Sequence, residues 1–207
     1  SRGLGDVYKR QAEDQIGQLQ AQPRFGFLLL ALVQSESTST AIRLASAIQF
    51  KNLCKTRWNV DAETEDPVFS AISDDEKQAI RQQLVPVLVS LASASTPSQA
   101  ILSQMNESVA LVASSDFPEA WPALIDELVS QLSTDNHHVL LSVLATSHAI
   151  FKQWRSQFRS DALYSEINLV LGKMANPLLE LLQRMHGMLL DPSTPSMTCL
   201  LYTSDAA

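Results

Sequence analysis

Apolar residues recur along this chain at helical spacing almost from end to end. Ile80, Leu84, Val87, Leu88 and Leu91 fall at i, i+4, i+7, i+8 and i+11, which is one face of one helix. Ser73 followed by Glu76 places a capping box ahead of it. Thr96-Pro97 reads as the N-cap and first residue of the next helix, whose inward face is Ile101, Met105, Val109 and Val112. Asp135 or Asn136 caps a further helix, with Leu140, Val143, Leu144, Ser147, Phe151 and Trp154 along one stripe. Pro86 falls inside the Ser73 helix and is expected to kink it. Ala41 to Trp58 is apolar over an arc too wide for a helix with one buried side, which predicts neighbours on two sides. Strand-like alternation is confined to runs too brief to count.

These helices pair. First helices start near Arg24, Ser73, Trp121 and Asp161, and second helices near Ser39, Thr96 and Asn136. The spacing is about forty to fifty residues, the period of two-helix HEAT units, whose apolar faces are covered by stacking. The expectation is an all-α HEAT-repeat superhelix, a solenoid. It would hold a partial repeat over 12–23, repeats over 24–59, 73–115 and 117–158, and the start of another over 161–190. Asp61 to Phe69, with four carboxylates and Pro67, reads as an exposed loop insertion. A single globular bundle is the competing arrangement. Neither end shows a polar capping helix, so exposed apolar surface is expected at both.

Composition adds limits. The 207 residues are 45% apolar with a formal net charge of −7, which suits a folded chain and disfavours broad contact with phosphate backbones. A basic protein partner is compatible with that balance. The longest apolar run, Phe25 to Val33, is far short of the roughly 20 residues of a membrane span. The N-terminus has no continuous apolar stretch of signal-peptide type. Ser1–Gln11 and the stretch from Cys199 can be encoded as each other's reverse complement, the mark of translated transposon adapter. Residues 1–11 and 199–207 are therefore read as non-native flanks, with 12–198 expected to be truncated at both ends. Removing Arg2, Lys9, Arg10, Asp6 and Asp205 takes the net charge from −7 to −8. It also leaves Cys54 as the one remaining cysteine, read as a small core residue in a reducing compartment.

Catalytic and metal chemistry finds little support. His137 and His138 are adjacent and point to different helix faces, and Leu140, Leu141 and Ser142 supply no further ligand. Ser147 and His148 diverge for the same reason, so no nucleophile–base pair forms between them. There is no glycine-rich phosphate loop. The expectation is a non-enzyme without cofactor or metal; an α-helical hydrolase would rest on Ser, His and Asp content alone. Phe117, Pro118, Trp121 and Pro122 read as a stiff turn whose aromatics clamp one repeat on the next. Lys51, Asn52, Lys55 and Arg57 form a polar edge on an otherwise apolar helix. That edge is either a solvated face touching the adjoining repeat or a partner surface.

Two of these segments resemble the importin-β superfamily. Ala47-Ile48-Gln49-Phe50-Lys51-Asn52, followed by Lys55 and Trp58, is similar to a second repeat of its N-terminal domain, and Asp116 to Pro122 to its inter-repeat turn. Ser147 to Ser160, with Leu163 and Glu166 to Leu171 behind it, is similar to the branch of that superfamily that re-exports importin-α. The resemblance implies a nuclear transport receptor that shuttles between nucleus and cytoplasm. Its implied partners are Ran-GTP, importin-α as cargo of the full-length protein, and nuclear pore components, with no nucleic acid and no membrane insertion. GTP would enter only as bound to Ran. Carried over by helix phase, the implied Ran surface is Lys51, Asn52, Lys55, Gln104 and Glu107, while Phe50, Trp58, Phe117, Pro118, Trp121 and Pro122 are implied packing positions. Another receptor of the superfamily, or a HEAT scaffold outside transport, is the alternative.

Overall fold

The computed structural model describes residues 24–59 and 72–190, with positions 11, 19 and 22 ahead of them. The acidic interval Asp61–Phe69, most of 12–23 and nearly all of both flanks lie outside the described residues. Within 24–59 and 72–190 seven helices follow in order: α1 Phe25–Gln34, α2 Thr40–Arg57, α3 Asp74–Ser93, α4 Gln99–Asp116, α5 Leu124–Ser130, α6 His137–Trp154 and α7 Asp161–Leu190. A 3₁₀ turn over Gln131–Ser133 extends α5. There is no strand among the described residues.

Two layers result. Helices α1, α3, α5 and α7 lie side by side in one, and α2, α4 and α6 in the other. Within the pairs, α1 packs on α2 and α3 on α4, while α3 also reaches α6, so α3 bridges two second helices. This is the stacked-pair solenoid that the periodicity predicts. Its core is continuous, running from Phe25, Leu29 and Val33 through Phe50, Leu84, Leu88, Met105 and Val109 to Leu124, Leu128, Val143 and Met174.

Capping sets the helix starts. Ser73 Oγ accepts from Glu76 N at 3.3 Å, but the Glu76 carboxylate does not close the predicted box. It accepts instead from the backbone N of Arg24, at 3.2 Å, and so joins the start of α1 to the start of α3. Arg24 holds the left-handed conformation at φ 65, a position that disfavours a residue with a Cβ and is here fixed by that carboxylate. Asn136 caps α6 through Oδ1, which accepts from His138 N at 3.0 Å and Val139 N at 3.4 Å. Thr96-Pro97 is not the cap of α4. The first backbone bond runs from Leu102 N to Ser98 O, so Ser98 is the N-cap and Thr96 and Pro97 belong to the turn before it. Pro86 is exposed and α3 runs unbroken past it. The carbonyl deprived of a partner then faces water, where its loss is least costly.

Apolar periodicity caught one face only in part, since all six stripe residues of α6 meet the core but two deeper hydroxyls were left out. The buried side of α6 is Val139, Ser142, Val143, Thr146, Ser147 and Ile150, while Leu140, Leu144, Phe151 and Trp154 are half-buried. The hydroxyls are admitted because α4 offers them a buried acceptor. Ser142 Oγ donates to Asn106 Oδ1 at 3.2 Å, and Thr146 Oγ1 lies 2.9 Å from the same atom. Burial of polar groups is tolerated where each finds a partner.

Candidate partner-binding surface

The polar edge of α2 lies beside the outer face of α4, since these helices stack in the second layer. Lys51 Nζ and Glu107 Oε2 are 3.3 Å apart, with side-chain exposures of 21% and 56%. Two members of the implied surface thus hold each other across the repeat boundary. At that exposure the pair is worth about 0–1 kcal/mol, so an incoming partner could separate it at little expense. Asn52 and Lys55 are exposed on the following turns of α2. Gln104 is half-buried, and its Oε1 is a buried acceptor without a hydrogen-bond partner. Arg57, at the end of the same edge, is buried and belongs to the interior.

The apolar arc of α2 is only partly covered. Ile42 and Ile48 remain exposed at 52% and 37%, and Ile48 lies on the side that also carries Asn52 and Lys55. The exposed face of α6 continues the surface with Leu141, Ala145 and His148. The second layer therefore presents aliphatic area interrupted by single polar groups. The sequence reading missed Ile42 and Ile48 because a wide apolar arc looks the same whether or not a neighbour covers it.

Packing positions sort differently. Phe50, Trp58, Phe117 and Trp121 are buried, Pro118 is half-buried and Pro122 is exposed, two residues ahead of α5. The Phe117–Pro118 bond is cis. Asp116 ends α4 and closes the turn, its carbonyl accepting from Ala120 N at 2.8 Å and Trp121 N at 2.9 Å. Its carboxylate is paired with Arg81 of α3. Arg81 escaped the sequence reading although it stands next to Ile80 on the inward stripe, where a cation needs a partner. Glu127 of α5 has its carboxyl pushed above the ordinary range by burial, opposed in part by the Trp121 indole. Cys54 is buried, and burial likewise raises its thiol. His137 and His138 are exposed with ring centroids 4.0 Å apart. No group of three or more metal-ligating side chains occurs among the described residues. None of their helices is long and apolar enough to cross a membrane.

Comparison with known proteins places this geometry. Residues 12–90 match the importin-beta N-terminal domain family, and residues 150–198 match the Cse1 family. The chain is thus a stacked helical array of the importin-β type. Within that class it belongs with the exportin-2 and Cse1 proteins. It is 33% identical over 175 residues to exportin-2 of Drosophila melanogaster, which covers 84% of this chain and 17% of that protein. It is 37% identical over 174 residues to the importin alpha re-exporter of Saccharomyces cerevisiae, with the same coverage. The solved structure of the exportin Cse1 in its cargo-free, cytoplasmic state superposes with a TM-score of 0.73 at 35% identity, over 86% of this chain and 18% of that one. The chain therefore spans under a fifth of the length of the relatives it matches.

Proposed function

We propose that this chain is the Ran-binding part of a nuclear transport receptor, and that the whole receptor carries importin-α from nucleus to cytoplasm. The observation that carries the reading is the 37% identity to an importin alpha re-exporter along a surface-presenting array of the same fold. The second-layer faces of α2 and α4 are the proposed contact, with Asn52 and Lys55 exposed and Lys51 and Glu107 exchanging each other for groups on Ran-GTP. Gln104, half-buried between these groups, would border the contact. Aliphatic area from Ile48 would contribute to the desolvated centre that such an interface needs.

Mechanistically, the receptor works by coupled binding. Ran-GTP and cargo each favour one arrangement of the array, so each raises the affinity for the other. GTP is hydrolysed by Ran, which removes that coupling and lets cargo go. The test is retention of Ran on the immobilised chain after loading with GTP or GDP. Retention of the GTP form alone supports the reading, and equal retention of both sinks it. Charge reversal at Lys55 should weaken the GTP-form complex further.

A further inference from the structure

The turn between α6 and α7, residues 155–160, is built for more than connection. It is exposed throughout, and Phe158 is 90% exposed, the most exposed of the large apolar side chains among the described residues. Arg155 and Arg159 flank it, with Lys152 one turn back on α6. Among the described residues none of these three cations has a side-chain hydrogen bond or ion pair, whereas Lys51, Lys77, Arg81, Lys173 and Arg184 all do. Lys152 and Arg155 have a fold-level explanation, because cations at a helix C-terminus complement its dipole. Arg159 has the opposite setting. It stands two residues before Asp161, at the positive end of a 30-residue helix, where a cation is unfavourable. Phe158 likewise gains nothing from packing where it stands.

The turn is also held. Trp154 Nε1 donates to Glu166 Oε1 at 2.8 Å, tying the end of α6 to α7, and Phe151 stacks on Trp154 at 4.8 Å. Arg155 N, Ser156 N and Gln157 N donate to Lys152, Gln153 and Trp154 carbonyls at 3.3, 3.1 and 3.3 Å. Ser160 Oγ accepts from Leu163 N at 3.2 Å and caps the far side. An anchored turn that presents an aromatic between unpaired arginines loses little entropy on binding.

We infer that Lys152, Arg155, Phe158 and Arg159 form a docking site for an acidic peptide segment that carries an apolar residue. Carboxylates of the segment pair with the guanidinium groups, and its apolar side chain covers the Phe158 ring. A nucleic acid fits less well, since three cations on one short turn neutralise few backbone phosphates and leave no extended basic track.

The experiment is fluorescence anisotropy of the 207-residue chain with a labelled twelve-residue peptide of Asp, Glu and Gly containing one Leu. The expected result is saturable binding that weakens as salt rises from roughly 50 to 200 mM. Affinity should fall about tenfold or more in Phe158→Ala and in Arg155→Ala/Arg159→Ala. Lys173→Gln, which removes a cation elsewhere, should leave it unchanged. All the altered side chains are exposed or half-exposed, and the helical circular dichroism of each variant is compared with the parent. Absence of binding, equal binding by all variants, or tighter binding of a single-stranded oligonucleotide than of the peptide overturns the inference. Ran retention is a separate measurement, so failure here does not touch the proposed transport function.

Discussion

Replacing Arg81 with Met strands the Asp116 carboxylate at the end of α4. In the native protein the two side chains are 15% and 10% exposed and paired, so each has given up most of its water for the other. Removing one partner of a fully buried pair costs about 3–5 kcal/mol, and the residual exposure of both lowers the expectation to about 2–3 kcal/mol. Methionine keeps the packing of the arginine stem, so the loss reports charge rather than cavity. Asp116 is also the last residue of α4, where the helix dipole disfavours a carboxylate by about 0.3–1 kcal/mol once its counter-charge is gone. For a chain of this size the melting temperature should fall by roughly 5–10 °C. Asp116→Asn behaves differently. The amide oxygen still accepts from Arg81 and the dipole conflict disappears, so about 1 kcal/mol is expected. Arg81→Met/Asp116→Leu should be milder than the sum of Arg81→Met and Asp116→Leu by at least about 1 kcal/mol. Urea denaturation of the parent, these single variants and the double, followed by circular dichroism, measures the coupling. Additivity within about 0.5 kcal/mol, or Arg81→Met no worse than Asp116→Asn, would refute the reasoning.

Three further outcomes follow from the same structure. Asn106→Ala should cost about 2–3 kcal/mol, since Ser142 loses its buried acceptor and a void is left. Asn106→Leu/Ser142→Ala/Thr146→Val should recover most of it, and a triple variant as unstable as the single in urea would contradict this. A Cβ at Gly26 would stand 3.0 Å from Ile80 Cδ1 and 3.4 Å from Leu53 Cδ2. Gly26→Ala should therefore stay within about 1 kcal/mol, because helix propensity offsets crowding, while Gly26→Val should lose about 1–3 kcal/mol by thermal melt. Glu127 carries a carboxyl whose folded-state pKa is raised by burial. The folded state therefore binds its proton more tightly, and the stability this contributes is present below the unfolded pKa and lost as pH rises through the folded one. Relative to Glu127→Gln, the parent should gain stability on acidification across that window; a pH-independent difference or the reverse slope rules this out.

Much of this arrangement was legible in the chain. Ile80–Leu91 and Ile101–Val112 gave their faces directly, because aliphatic residues at helical spacing have one low-energy disposition. The α6 stripe was incomplete because Ser142 and Thr146 look solvent-bound until Asn106 is brought beside them from a separate helix. The Thr96-Pro97 cap failed for a related reason: several residues in Ser95–Ser98 can cap, and only the first backbone bond chooses among them. For the surface, Lys51 and Glu107 were both picked out, but nothing in their positions 56 residues apart showed that they pair.

The sequence alone determined helical pairs stacked at a repeat spacing and the superfamily that Asp116–Pro122 and Ser147–Leu171 resemble. Those follow from local rules of period, capping and turn chemistry, which act within a few residues. Tertiary structure decided which polar groups are interior and which remain free. It turned Glu76 toward Arg24, buried Arg81 against Asp116, and left Phe158 and its arginines in solvent. Whether a charge is a brace or a binding group depends on what stands within a few ångströms of it, and that distance is set by stacking helices far apart in the chain.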